Sequence, residues 1–322
     1  MNQYLKIFGI MLTLYAIGIF YDKYNLGMQS NQDIQQYDIV KQFLLKNGSL
    51  GNSKNPIIWI HTTYEYNARN WKSFVSRGNT DLNQPYLLLT IKSIIDKCGG
   101  DFNVCLIDDN SFDKLIPGWN IDLNKVAKPI KNHLRSMAMV KVLYYYGGMM
   151  VPNSTLCINN LNDIYTQGVE NSGCFAFENI ARSNMAACST YIPDATMIGC
   201  TKNNPVMKEL VEYLEYLNST DFTAEQDFVG NISKWASKKA NLGELNLIDG
   251  KFIGIKKDNN DPVGLEDLLG EDYIGFYPNL YAIYIPANEI LSRTKYQWFS
   301  RMSTEQILSS NLAITKYILG CN

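Results

Sequence analysis

Histidine is scarce in this sequence. His61 and His133 are the only two in 322 residues, and neither joins a Cys/His arrangement or a G-x-S-x-G turn, which sets nucleophilic hydrolysis aside. The seven cysteines (98, 105, 157, 174, 188, 200 and 321) form no Cys-x-x-Cys pair and no zinc spacing, so sulfur-based metal binding is not expected. Several lie in apolar strand contexts, where a thiol behaves as a small hydrophobe; this favours a reduced compartment. Excess charge is also lacking. A net charge of −2 carries no electrostatic footprint for nucleic acid. No internal repeat and no long low-complexity tract breaks the chain.

Apolar content is ample, at 46% of the residues, enough for a sizeable core in one large domain or two small ones. The uncharged run from Ile7 to Tyr21, preceded by Lys6 and followed by Asp22 and Lys23, reaches about the lower limit of a spanning helix, roughly 17 residues, when extended to Tyr4. It is followed by no small-x-small cleavage site. Residues 1–23 are therefore expected to be a membrane anchor, making the chain a single-pass membrane protein with the membrane as a partner. Residues 24–55 read as a polar stem, and residues 56–322 as the globular domain. Asn-x-Ser/Thr triplets begin at Asn47, Asn153, Asn218 and Asn231 and matter only if that domain is luminal.

Within the globular part, Pro56 to His61 reads as a buried strand. His61 at its end is either a structural hydrogen-bonder or a nucleotide contact, with Thr62 and Thr63 beside it. Gln84 to Cys98 has the apolar spacing of a helix, and Phe102 to Asp109 is a second strand that ends in two carboxylates, Asp108 and Asp109. Asp109 or Asn110 reads as the N-cap of the following helix, and for Asp109 capping outweighs catalysis. Lys131 to Tyr146 is a helix whose Arg135 reads as a solvent-exposed charge in preference to a phosphate contact from an adjacent turn. Further along, Asp194 lies in a strand-like run, Asn204-Pro205 opens a helix, and Glu225 and Asp227 fall in the first turn of another. There their charge complements the helix dipole, a reading that outweighs a base role for Asp227. Asp109, Asp194 and Asp227 remain the weak catalytic candidates.

The stretch from Leu143 to Thr155, LYYYGGMMVPNST, joins these pieces. An apolar helix meets Gly147-Gly148, whose permissive backbone ends the helix and turns the chain into a short strand. Asn153, Ser154 and Thr155 then follow the carboxyl end of that strand, where open α/β sheets bind ligands. Leu143-Tyr144-Tyr145-Tyr146-Gly147-Gly148 resembles the DXD-containing sugar transferases of the mannosyl and capsular-polysaccharide type. Their helix has the form S-D-x-x-R-x-x-x-L-Y-x-Y-G-G, followed by an apolar pair or triplet and D-x-D. The resemblance covers about residues 56 to 235. It implies an α/β fold of the GT-A-like (Rossmann-like) kind, a mixed sheet flanked by helices, here with the N-terminal membrane helix in front. It also implies a sugar-nucleotide substrate at His61, Thr62, Thr63, Asp108, Asn153 and Ser154.

The charged positions of that motif differ here. The family's helix Asp falls on Ser136, its Arg on Met139, and its two metal-handling Asp on Pro152 and Ser154. Such a transferase neutralises its diphosphate leaving group with a carboxylate-held divalent cation acting as a Lewis acid. Proline offers no ligand, and neutral Asn and Ser oxygens hold a dication far less well, so a metal cofactor is possible but disfavoured. Three readings follow. One is a membrane-anchored glycosyltransferase that works without the usual metal, using Lys, Arg and backbone donors. Another is a degenerate domain that binds a glycan or sugar nucleotide without turnover. The third is an interaction or structural protein on the same scaffold.

Overall fold

Residues 55–63, 84–180, 191–220 and 225–321 are those the computed structural model describes, the side chains of 225–227 excepted. They belong to one unit, Asn47–Thr63 with Gln84–Asn322; the other unit, Met1–Lys46 with Tyr64–Asn83, lies outside them.

The apolar run after Pro56 forms β1 (Ile57–His61), with Ile58, Trp59 and Ile60 fully buried. Successive side chains of a strand point to opposite faces, so a strand buried throughout is covered on both sides. Helix α1 (Tyr86–Cys98) follows, burying Leu87, Ile91, Ile94 and Cys98 at helical spacing. Next come β2 (Asn103–Ile107), a 3-10 turn over Asp109–Ser111 and the short α2 (Phe112–Leu115). Helix α3 (Ile130–Tyr146) leads into β3 (Gly148–Met150). Beyond them lie β4 (Thr155–Cys157), α4 (Asn162–Val169), β5 (Cys174–Ile180), β6 (Tyr191–Cys200) and α5 (Pro205–Ser219). Helix α6 (Glu225–Asn241), β7 (Asn246–Ile248) and β8 (Ala282–Tyr284) follow. Short helices complete the chain, ending in Thr304–Leu308 and Ala313–Cys321.

Six strands form one mixed sheet in the order β2-β1-β3-β6-β5-β7, and β4 pairs with β8 apart from it. β1 is parallel to both β2 and β3, β6 is antiparallel to β3 and β5, and β7 is parallel to β5. The mixed α/β architecture agrees with the expectation from sequence.

The joint between α3 and β3 is the tightest part of the fold. Gly147 and Gly148 both have positive φ, +73° and +97°. A Cβ on Gly148 would lie 2.1 Å from the Ile57 carbonyl oxygen, so only glycine lets β3 lie against β1 here. The Gly147 carbonyl, left over at the helix end, accepts a hydrogen bond from Trp59 Nε1 at 2.9 Å. Leu143, four residues before the break, is fully buried. Helix α5 starts as its sequence predicts: Pro205 takes the first turn, and Asn204 accepts a bond from the Met207 N–H at 3.1 Å.

The expectation of a membrane-anchored, single-pass, membrane-localised chain is corrected. Among the described residues no helix is long and apolar enough to cross a membrane. The two longest, α3 and α6, have 17 residues each and carry lysines along their length. The run from Ile7 to Tyr21 and nearly all of the expected stem lie outside the described residues, and no membrane partner is carried further. Two smaller corrections concern the tail. Thr304 to Leu319 reads from sequence as one helix; the structure has two, broken where Ser310 Oγ turns inward to Thr315 Oγ1 at 2.8 Å and to the Ile307 carbonyl at 2.8 Å. Ile274 to Tyr277 reads from sequence as a strand, and in the structure it reduces to one bridge between Phe276 and Lys257.

Candidate functional site

Because β2, β1 and β3 are parallel neighbours, their carboxyl ends share one edge of the sheet. That edge carries Asp108-Asp109, His61-Thr62-Thr63 and Val151-Pro152-Asn153. The antiparallel β6 pairs Ile198 with Met150, so its residues before 198 project past the end of β3 and bring Asp194 to the same edge. β5 and β7 also end there, with Glu178 and Asp249.

The geometry converges on Asp109. Arg135 grips its carboxylate with two hydrogen bonds, Nε to Oδ1 at 2.8 Å and Nη2 to Oδ2 at 2.7 Å, the two-pronged pairing to which a guanidinium is suited. His61 Nε2 lies 3.1 Å from Oδ1, and the Lys131 ammonium 3.6 Å from Oδ2. Lys131 and Arg135 are one helical turn apart on α3, which puts both on one face. Asn132 Oδ1 accepts from Arg135 Nη1 at 3.3 Å, and the His61 ring stacks on Phe112, nearly parallel at 5.4 Å. All four charged or titratable side chains are a fifth exposed or less. Burial alone would raise the Asp109 pKa. The His61 hydrogen bond, the Arg135 hydrogen bonds and the Arg135 charge outweigh it and hold the carboxyl well below the usual range. Arg135 and Lys131 set two cations against the one carboxylate of Asp109. Lys131, in Coulombic reach of Asp109 but beyond hydrogen-bond distance, is the cation placed to take a further anion.

This overturns the reading of Arg135 as a solvent-exposed helix charge. It also moves the cap after β2 from Asp109 to Asp108, which accepts from Ser111 Oγ at 2.6 Å and donates its own N–H to that oxygen at 3.2 Å.

The remaining residues singled out in the sequence are held locally. Thr62 is buried and extends the β1–β2 pairing, its N–H donating to the Ile107 carbonyl at 2.9 Å. Thr63 is half-buried. The Asn153 carbonyl accepts from Thr90 Oγ1 on α1 at 2.5 Å. Ser154 is buried, and its carbonyl accepts from the Ile285 N–H at 3.1 Å. Asp194 sits where the β5–β6 register shifts. It accepts from Asn179 Nδ2 at 2.7 Å, from the Thr196 N–H at 3.2 Å and from the Thr196 hydroxyl, and so staples the bulge. Asp227 lies on α6, with its side chain outside the described residues. His133 is buried in the core, stacked on Phe228 at 3.9 Å.

Sequence reading missed a second cluster on the same edge. The buried Lys256 ammonium lies 2.5 Å from Glu178 Oε2 and 3.3 Å from Asp249 Oδ1, over the Tyr191 ring at 4.4 Å. Burial would depress the Lys256 pKa, but the Glu178 hydrogen bond and the two carboxylate charges raise it. Glu178 lies in β5, and its partner, 78 residues away, could not be paired with it by spacing.

The residues at the strand ends do not fit a divalent cation of the D-x-D kind. Pro152 has no ligand atom, Ser154 is buried, the Asp109 oxygens are already bonded to Arg135 and His61, and one Asp108 oxygen to Ser111. Among the described residues no three His, Cys, Asp or Glu side chains converge as a metal site.

No family model matches the chain, and no curated protein matches it. Among solved structures it is similar to the PaToxG glycosyltransferase, at 13% identity and a TM-score of 0.33 over 68% of this chain and 81% of that one. It is also similar to mouse xyloside xylosyltransferase 1, at 9% and 0.38 over 62% and 87%. The galactosyltransferase LgtC gives 11% and 0.33 over 61% and 74%. Similarities at this level carry no weight for the site.

Proposed function

We propose that this chain is a glycosyltransferase-like domain that binds a nucleoside diphosphate sugar across the carboxyl ends of β1, β2 and β3. Its diphosphate is taken by Lys131 and Arg135 instead of a carboxylate-held cation. The observation that carries this reading is the inverted charge of the strand-end cluster. A lone Asp109 would repel a diphosphate; with Arg135, Lys131 and His61 around it, the cluster attracts one. Asn153, at the end of β3, supplies an amide for the sugar or phosphate oxygens, and His61 and Thr63 border the same space. The L-Y-x-Y-G-G joint between α3 and β3 supports the fold-level resemblance to sugar transferases.

Binding without turnover is the second reading, and a specific observation favours it. Both oxygens of Asp109 and both of Asp194 accept local hydrogen bonds, so neither stands ready as a base.

Calorimetric titration of the full chain with UDP- and GDP-sugars, in EDTA and then in excess manganese, tests the proposal. Affinity is expected to survive EDTA and to fall about tenfold or more in Lys131→Met, from the loss of one charge-assisted contact worth roughly 1.5–3 kcal/mol. Asn153→Ala is expected to weaken it further. Binding seen only with manganese, or unchanged in Lys131→Met, refutes the proposal. Release of nucleoside diphosphate over hours separates an enzyme from a binder.

A further inference from the structure

Cys98 and Cys157 meet in the interior between α1 and β4, their Sγ atoms 3.6 Å apart. Neither side chain reaches solvent. Cys98 is the last residue of α1, and Gly99 and Gly100 follow it; a side chain at Gly100 would meet open space. Cys157 closes β4, where Ser93 Oγ of α1 accepts from its N–H at 2.8 Å. Its thiol donates to the Asn159 carbonyl at 3.0 Å. One helix therefore touches the 153–157 segment three times, through Thr90 at Asn153 and through Ser93 and Cys98 at Cys157.

We propose that Cys98 and Cys157 form an oxidation-sensitive thiol pair, which hydrogen peroxide converts to a disulfide tying the end of α1 to β4. Cys98 sulfur attacks the peroxide O–O bond, giving a sulfenic acid and one water that carries off the thiol proton. Cys157 sulfur then displaces the sulfenic oxygen, forming the S–S bond, and that oxygen leaves with the second thiol proton as another water. The two sulfurs together lose two electrons and the peroxide gains two. A disulfide needs sulfurs about 2.05 Å apart, so closure requires roughly 1.5 Å of movement, which the glycines after Cys98 permit. Cys98 is the first to react because its contact with Cys157 and a backbone hydrogen bond at Leu161 hold its pKa down against the effect of burial. Cys157 is shifted upward by the same contact and by burial. Burial pushes Cys105 up to about 12 and Cys174 up to about 11.

The experiment uses the full chain, reduced with a phosphine, titrated with hydrogen peroxide, alkylated under denaturing conditions and mapped by peptide mass spectrometry. A cross-linked pair of peptides carrying Cys98 and Cys157 is expected as the first disulfide. With it should come a rise in Tm of roughly 5–10 °C that the phosphine reverses. Cys157→Ser is expected to abolish both and to leave Cys98 as a sulfenic acid that dimedone traps. Full alkylation of Cys98 and Cys157 after peroxide that has oxidised the partly exposed Cys321 overturns the proposal, as does pairing of Cys98 with Cys321. Should the variant fail to fold, the wild-type peptide map decides. These outcomes do not depend on nucleotide binding.

Discussion

Replacing Gly148 with alanine tests the α3–β3 joint at its narrowest point. Two costs follow from the structure and can be separated. Alanine at φ +97° pays for a left-handed backbone, about 1–2 kcal/mol. Its Cβ would also lie 2.1 Å from the Ile57 carbonyl oxygen and 2.9 Å from the Ile57 carbonyl carbon. Relief requires β3 to retreat from β1 by about an ångström, which stretches the Val151 N–H to Trp59 carbonyl bond from 3.0 Å to beyond bonding distance along with its neighbours in the ladder. Two or three such bonds at roughly 0.5–1.5 kcal/mol each bring the expected loss to about 3–5 kcal/mol. Gly118→Ala is the control. It has φ +73° with open space around the missing Cβ, so it carries the backbone cost alone, about 1–2 kcal/mol. Urea unfolding of both variants, read by circular dichroism, gives the comparison. If Gly148→Ala loses no more than Gly118→Ala, the close approach of β3 to β1 is not a constraint, and the account of the joint fails.

Asp109→Asn should destabilise the chain near neutral pH, because Arg135 would lose a charged partner in a mostly buried site. The Asp109 pKa is depressed on folding, so its contribution is present above the unfolded value of about 4 and is lost as pH falls through the folded value. The stability gap between wild type and Asp109→Asn, measured by urea unfolding from pH 7 to pH 2, should therefore narrow on the acid side, and a gap that widens refutes the assignment. Asp194→Ala should cost about 1–3 kcal/mol by unstapling the β5–β6 bulge and leave any nucleotide affinity unchanged; a selective loss of affinity in titration would make Asp194 a ligand contact. In a double-mutant cycle, Arg135→Met and Asp109→Asn should be strongly non-additive, because both act on the same guanidinium–carboxylate contact.

The elements that build the β1 end of the sheet could be read from sequence, because their signals are local and strong. β1 is an unbroken apolar run, α1 repeats its apolar residues at helical spacing, and Gly147-Gly148 can only be a break. What could not be read were pairings across distance. Arg135 looked like a surface charge because its partner is 26 residues upstream, in a turn whose position depends on β2 lying beside β1. Asp109 looked like the cap because adjacent aspartates are indistinguishable until the turn places one against Ser111. Lys256 gave no signal, since its environment is assembled from β5, β6 and the end of β7. The short tail elements were blurred because helices and strands of three to six residues leave no period to detect.

The two clusters on the carboxyl edge have opposite net sign. The one around Asp109 carries a positive surplus, and the one around Lys256, with two carboxylates to a single ammonium, a negative one. They stand three to five strand spacings apart, roughly 14–24 Å at about 4.8 Å per strand. Physiological salt screens charge over about 8 Å. Each cluster is therefore electrically deaf to the other through solvent, and either can change by mutation without retuning its counterpart. To a long molecule laid along the edge, the two are nonetheless a polarity. A ligand with its negative charge at one end gains at β1 and β2 and loses at β5 and β7, so the edge sets the direction in which such a ligand lies.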